Sequence, residues 1–591
     1  MNPNVFILEA LVDFPDDALH AEFPITDRHI DSMMAALSAA GVRRVSWATY
    51  ADGHGGYLLP SGLGDRSLAG SYNNWSDYAR TLEILGNPLR VAVEAGHRHG
   101  LQVYGYFKPY ETGPTLVLPE GSSEAARWGR LPHMGGSLSW IDPFVLKHPS
   151  LRIKRRADDL PPGGKDAPIH AIQLIKKDDA PTRIQREHLQ IWSSPNNYRY
   201  RPLEVRFDLS EAIQRARREV RDLKDQVVTR QGDRVRVLTL SGFRLSDSYL
   251  LVTTDFADGP ADFENVCPEM MVAMDGNGRE IPGVFANGTA IWCDERVDFR
   301  NWGLVFDHGW GRLPMKLDEP NASGKKGFIA YRRGRADYLP GALCETEPAV
   351  RAYWLTWIEE MLDAGVDGID IREENHSTHT EYPEEYGFNA VVRQQCARTG
   401  ADVAIVRGDA YTQFLREAKQ RVAARGKRLR YHLNVDYFGG NPPMNRRLAF
   451  PANLRWDWAR WIDEGLIDEA ALRFWSKPFD CIFDDAVAQE MIARCRQRNI
   501  PVTVNRYLPY APSPETPWTA SVPDAVNPHL AYVAANQPKH VREFQRVRDD
   551  GRFAGFVLYE TDAFMKPIET GAYAITNEVA KDICRAATAS T

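Results

Sequence analysis

The chain has 591 residues, of which 43% are hydrophobic and 26% charged, which excludes a mainly disordered protein. Lys and Arg number 72 against 79 Asp and Glu, a formal charge of −7, so the basic footprint of a nucleic-acid binder is missing. No apolar run reaches the ~18 residues of a membrane-spanning helix, so neither nucleic acid nor a membrane is expected as a partner.

The first ten residues lack the charged start and long apolar stretch of a leader and predict a strand over Val5–Glu9. The expected location is cytoplasmic, with a leader removed beforehand as the alternative. Thr26 reads as a helix N-cap, and Ile30, Met33, Met34 and Leu37 fall on one helical face before Gly41 and a strand from Val45. The same order of helix, Gly or polar break, and short apolar strand recurs. It leads into Leu101–Phe107 after Gly100, and into Gly368–Ile371 after a helix opened by Pro348 and lined by Val350, Trp354, Trp357, Ile358 and Met361. It recurs before Leu429–Asn434, Ala471–Trp475, Pro501–Asn505 and Gly555–Tyr559. Strands alternating with helices imply parallel pairing through right-handed crossovers, and eight such units predict a closed (β/α)8 TIM barrel rather than an open doubly wound sheet.

One interval breaks this rhythm. About 250 residues separate the third strand from the fourth, where a βα unit needs ~30. Ile169–Ile175, His188–Trp192, Val235–Leu240 and Tyr249–Thr254 are short runs rich in β-branched residues. Turn signals separate them at 161–164, 194–197, 275–278 and 286–288. This pattern predicts an inserted antiparallel β-sandwich-like domain at 156–305, within a discontinuous barrel formed by 1–155 and 306–591. The basic stretch from Arg215 to Lys224 is interleaved with Glu219 and Asp222 and reads as a solvated face. The seven cysteines are scattered without a CxxC pair, which suits neither a disulfide framework nor a zinc site.

In a TIM barrel the chemistry stands at the C-terminal ends of the strands. Those ends are polar and acidic here: Tyr50 after the second; Lys108, Tyr110 and Glu111 after the third; Asp370, Arg372, Glu373, Glu374 and His376 at the fourth. Asn434 and Asp436 follow the fifth, Trp475 the sixth, Asn505 and Arg506 the seventh, and Glu560 the eighth. Carboxylates crowded at one mouth push each other's pKa values apart, so one stays protonated while another is ionised. Glycosidic cleavage needs that pair, an acid for the leaving oxygen and a base or nucleophile for the anomeric carbon. Asp370, Glu373, Asp436 and Glu560 are the catalytic candidates, and the remaining mouth residues are candidates for substrate binding. Strand alternation turns Asp370 and Arg372 into the barrel, where an ion pair between them is the alternative to a catalytic Asp370, and leaves Glu373 in the loop, where a solvated carboxylate is the alternative to a catalytic one. Aromatic residues make up 10% of the chain, and Tyr106, Tyr110, Trp475 and Tyr559 stand where they could stack on sugar faces.

Asp363–Ile371 resembles the "G-x-D-G-I-x-x-D" segment of bacterial glycoside hydrolase-like TIM-barrel proteins, the family-10-like group. Trp461–Asp468 resembles their "W-x-x-x-G-L-I-D" segment, and the strand ending Tyr559-Glu560 also fits. The resemblance covers the barrel and not the insert, and it implies a glycosidase. Where that group tends to have a rim Asp this chain has Arg372, so the catalytic Asp maps to Asp370 or to Glu373. The expected function is a glycoside hydrolase acting on a carbohydrate with two carboxylates, with no metal or other cofactor. The alternatives are a metal-dependent sugar or sugar-acid lyase or isomerase, using Glu111, Glu374, Asp436 and the histidines 376, 379 and 432, or a non-catalytic glycan-binding protein. The sugar, the linkage, the stereochemistry and the oligomeric state are not legible.

Overall fold

The computed structural model describes residues 6–21, 23–48, 75–111, 117–119, 136–138, 143–156, 167–194, 199–221, 227–247, 249–254, 270–282, 284–288, 316–317, 326–333, 338–373, 383–435, 453–474, 479–508 and 537–589. Eight parallel strands close into a barrel: β1 (Ile7–Asp13), β2 (Arg44–Ala48), β3 (Gln102–Phe107), β4 (Gly368–Arg372), β5 (Arg428–Asn434), β6 (Glu469–Arg473), β7 (Val502–Tyr507) and β8 (Gly555–Tyr559). Each pairs with the next, and β8 returns to β1 with Tyr559 opposite Leu11. The expected TIM barrel is the fold.

Three strand boundaries differ from the sequence reading, and the differences matter for the site. β1 runs on to Asp13, so an acid stands at its mouth end. β6 begins and ends two residues early, so Arg473 rather than Trp475 closes it. β7 continues to Tyr507. An apolar run marks only the half of a strand that faces helices. A strand whose inward positions are charged therefore extends past the run.

Outward positions of the barrel pack against the helices. Ile369 and Ile371 of β4 meet the layer formed by helix Pro348–Asp363, whose Val350, Trp354, Trp357, Ile358 and Met361 are buried as the helical spacing requires. Gly105 of β3 lets this helix close on the sheet, because a Cβ there would lie 2.7 Å from Met361 Sδ. Helix Asp27–Ala39 buries Ile30, Met33, Met34 and Leu37 in the same layer. Its first turn is tied down by His29, whose Nδ1 accepts from the Thr26 N–H at 3.0 Å.

Between β3 and β4 the chain forms extra antiparallel sheets. One has four strands in the order Asp208–Arg215, Arg234–Leu245, Ile169–Ile175, Met271–Met274. Another has six strands and includes Leu189–Ser194 and Tyr249–Thr254. One apolar cluster draws Ile172 and Leu240 from the first sheet and Ile191 and Val252 from the second. The predicted turn at 275–278 is a turn, whereas residues 286–288 are the end of a strand, Val284–Gly288. Strand Lys326–Arg333, past residue 305, pairs with Tyr249–Thr254 and belongs to the same sheet. Strand Tyr338–Leu343 pairs with Arg152–Lys154, which brings the two ends of the intervening segment together beside the barrel.

No described helix is long and apolar enough to cross a membrane.

Candidate active site at the barrel mouth

The barrel interior is charged where such barrels usually carry branched aliphatic residues. Glu9 (β1), Arg44 (β2), Asp370 (β4), Arg430 (β5) and Glu469 (β6) are all buried and point inward. Arg44 Nη1 donates to Glu9 Oε1 at 3.0 Å and to Glu469 Oε2 at 2.7 Å. Arg430 donates to Glu9, to Ser46, and to Asp370 Oδ2 at 2.8 Å. Tyr104 Oη donates to Glu469 Oε1 at 3.0 Å, and the Arg44 guanidinium lies 4.2 Å from the Tyr104 ring centre. Tyr104 has room because residue 368 is glycine; a Cβ there would sit 2.6 Å from the ring. Charges removed from water persist only when paired and hydrogen-bonded, and this network does both.

Asp370 belongs to this floor. The alternative of an ion pair with Arg372 is not what forms; the partners of Asp370 are Arg430 and His432, with His432 Nε2 2.8 Å from Asp370 Oδ2. Parity explains the correction: Asp370 is opposite Arg430 across the β4–β5 pair, while Arg372 lies one layer higher, opposite His432. Burial alone would raise the Asp370 pKa, but Arg430 and His432 outweigh it and hold the carboxyl well below the usual carboxylate range. Burial also lowers the His432 pKa, against the pull of Asp370. His432 Nδ1 lies 3.5 Å from Asn505 Nδ2, and the tautomer of the ring sets its role in that contact.

The layer above is the mouth. Arg372 Nη1 donates to Tyr106 Oη at 2.7 Å. The guanidinium carbons of Arg372 and Arg473 lie 4.6 and 5.2 Å from the centre of one ring, that of Tyr559. Burial and the neighbouring Arg372 charge push the Arg473 pKa down to about 10. Lys108 Nζ is 3.0 Å from Glu111 Oε2, and both are buried.

Asn434 and Asn505, inward on β5 and β7, flank the β6 strand that carries Arg473. Both amide atoms of the Asn434 side chain and the Asn505 Oδ1 are buried with no hydrogen-bond partner among the described residues.

Glu373 is not the solvated carboxylate expected for a loop. It is 1% exposed, and its Oε1 accepts from the Asn434 backbone N–H at 2.6 Å. Burial raises its pKa to about 7, against the opposing effects of that hydrogen bond and of Arg473 and Arg372. Glu560 follows β8 and is also buried, at 5% exposure. Asp13, at the end of β1, is buried, and its charge acts on Arg372.

Two predicted substrate contacts face away from the mouth. Tyr110 is fully buried among Trp354, Tyr411 and Trp456, and its Oη donates to Glu345 Oε2 at 2.9 Å. Arg407 grips the same carboxylate at 2.6 and 3.0 Å. Arg506 has outward parity on β7 and pairs with Glu543 at 3.0 Å, on helix Gln537–Asp549. Both are held by outer-layer partners that a linear sequence does not display.

Tyr50, Glu374, His376, Asp436 and Trp475 lie outside the described residues, as does His379. Among the described residues no group of three or more His, Cys, Asp or Glu side chains is arranged to hold a metal ion. The sequence reading missed Asp13, Arg473 and the floor residues Glu9, Arg44, Arg430 and Glu469. Period-2 alternation, applied to every strand as it was to β4, would have found them.

No protein-family model matches the chain, and no curated protein matches it. Among solved structures it is similar to the glycoside hydrolase domain of PelA from Pseudomonas aeruginosa, at 14% identity and TM-score 0.21 over 38% of this chain and 65% of that one. It is similar to a GH20 exo-β-N-acetylglucosaminidase from Vibrio harveyi, at 8% identity and TM-score 0.34 over 98% and 54% of the two chains. It is also similar to a β-N-acetylhexosaminidase from Bacteroides fragilis, at 8% identity and TM-score 0.37 over 98% and 66%. The chain thus spans less than two thirds of the length of each of these three.

Proposed function

We infer that the chain is a glycoside hydrolase whose general acid is Glu373 and whose second carboxylate is Glu560. The observation that carries this reading is the state of Glu373: a buried carboxyl at a barrel strand end, with a pKa raised to about 7. A carboxyl that keeps its proton near neutral pH can deliver it to a leaving glycosidic oxygen, which an ordinary glutamate cannot do at that pH. A second, ionised carboxylate must then serve the anomeric carbon, directly or through water. In this reading Glu560, buried just past β8, is that second carboxylate. Asp370 is spoken for by Arg430 and His432 and acts as a support for the layer above. In this reading Asn434, Arg372 and Arg473 hold the substrate.

The test is product release from a panel of oligosaccharides and aryl glycosides, with and without EDTA, for the native chain, Glu373→Gln and Glu560→Gln. Chelator-independent cleavage, reduced about 10²–10⁴-fold in each variant, is the expected result. Cleavage that survives both substitutions would remove the basis of the assignment. Activity lost with EDTA would point instead to metal-dependent chemistry.

A further inference from the structure

The four-stranded sheet between β3 and β4 has two unlike edges. One is Met271–Met274, short and buried along its length. The other is Asp208–Arg215, which holds an unbroken antiparallel register with Arg234–Leu245 and contains neither proline nor bulge. Among the described residues no strand pairs with its second side. Asp208, Ser210, Glu211, Ala212, Ile213 and Arg215 are exposed, Ile213 to 45%. A long, regular, exposed edge is a template for another strand, and proteins ordinarily blunt it by shortening, proline or a bulge.

The printed bonds of the neighbouring strand fix where the free backbone groups point. Arg236 donates its N–H to the Asp178 carbonyl and accepts from the Lys176 N–H, so its backbone turns away from Asp208–Arg215. Its neighbours Val235 and Val237 therefore turn toward Gln214 and Ala212, which they oppose. Glu211, Ile213 and Arg215 alternate with these, so their N–H and C=O groups face the open edge.

Charge on an edge strand ordinarily repels a second strand. Here Glu211 and Arg215 are of opposite sign and stand symmetrically about Ile213. When this strand pairs antiparallel with itself, only residues that face the open edge can share hydrogen bonds. Centred on Ile213, the pairing sets Ile213 against its copy and each Glu211 against the copy's Arg215, all on one face. Centred on Glu211 it sets like charges together, and centred on Ala212 it sets Glu211 against Ile213. Both charged side chains have capacity left. Glu211 Oε1 takes Arg236, and Arg215 Nη1 donates to the Gly232 carbonyl at 2.9 Å, which leaves one carboxylate oxygen and the rest of the guanidinium fork. Arg234, opposite Arg215, is paired with Asp179.

We propose that two copies of this chain join through this strand, antiparallel and centred on Ile213, into one continuous sheet with a two-fold axis. The proposal is independent of the glycosidase reading.

The experiment is sedimentation velocity of the full chain over a hundredfold range of concentration. It is repeated on Ile213→Asp, on Glu211→Arg, and on the charge swap that combines Glu211→Arg with Arg215→Glu. All three alter exposed side chains, and circular dichroism checks that each is folded. The swap again sets an acid diagonal to Arg236, so it restores the charges within the chain as well as between copies. The expected result is a dimer of the native chain, weakened at least tenfold by Ile213→Asp and by Glu211→Arg and recovered in the swap. Amide hydrogen exchange at Glu211, Ile213 and Arg215 should slow in the dimer.

A native chain that stays monomeric, a dimer that Ile213→Asp or Glu211→Arg leaves intact, or a dimer without slowed exchange at those three amides would overturn the proposal. So would a loss in Glu211→Arg that the swap does not recover. If Glu211→Arg fails to fold, Ile213→Asp and the amide exchange decide.

Discussion

The backbone N–H of Asn434, at the end of β5, donates to Oε1 of Glu373, one residue past β4, at 2.6 Å. This bond fixes the direction of a carboxyl that burial otherwise keeps protonated. Its folded pKa of about 7 lies above the 4.5 of an exposed glutamate. The stability it contributes is therefore fully present below about pH 4.5 and is lost as pH rises through about 7. The loss is on the order of 3 kcal/mol. Glu373→Gln cannot ionise, so its melting temperature should vary less between pH 5 and 8 than that of the native chain. A parallel pair of melting curves across that range would count against the raised pKa. Turnover of the native chain should fall above pH 7 as the acid is deprotonated.

Asp370 carries the opposite dependence. Its folded pKa is depressed, so the stability it contributes is present above its unfolded value and is lost as pH falls toward the folded one. Asp370→Asn leaves Arg430 with one anion fewer in a dry interior, and removing one member of a buried pair typically costs 3–5 kcal/mol. Urea unfolding at pH 7 measures it. A loss under 1 kcal/mol would show that Glu9 and Ser46 suffice for Arg430.

Tyr110→Phe separates packing from substrate contact. The hydroxyl touches Glu345, which keeps both bonds from Arg407 after the change. The expected cost is about 1–2 kcal/mol of stability with KM unchanged on whichever glycoside is cleaved. A raised KM at native stability would return Tyr110 to the mouth.

Gly105→Ala probes the barrel–helix seam. The added methyl meets Met361 at a distance no real contact shows, so helix Pro348–Asp363 or the Met361 side chain must shift. Overpacking of this kind costs about 1–3 kcal/mol. Thermal unfolding gives the number, and a neutral result would mean that Met361 simply swings away.

The eight strands were legible because their outward faces are apolar and each follows a helix with regular spacing, as Ile369 and Ile371 follow Trp354 and Ile358. The inward faces were less so. Arg430 and Glu469 stand at strand positions where a linear reading takes charge as the sign of a loop. Such a reading starts β6 two residues late and ends it on Trp475, whereas the strand closes at Arg473. Its place just past a strand end suggests a solvated Glu373, yet the neighbouring strand supplies its hydrogen bond and the side chain is buried.

Sequence by itself determined the barrel, the runs of β-structure between its third and fourth strands, and the end of the barrel at which polar chemistry gathers. These follow from periodicity and chain order, which are local properties. Only the tertiary structure decided that Asp370 pairs with Arg430 and His432, that Tyr110 and Arg506 face outward, and that Arg372 and Arg473 meet at Tyr559. Partner choice and desolvation depend on groups hundreds of residues apart, as Glu9 and Arg430 are, and closing the barrel is what brings them together.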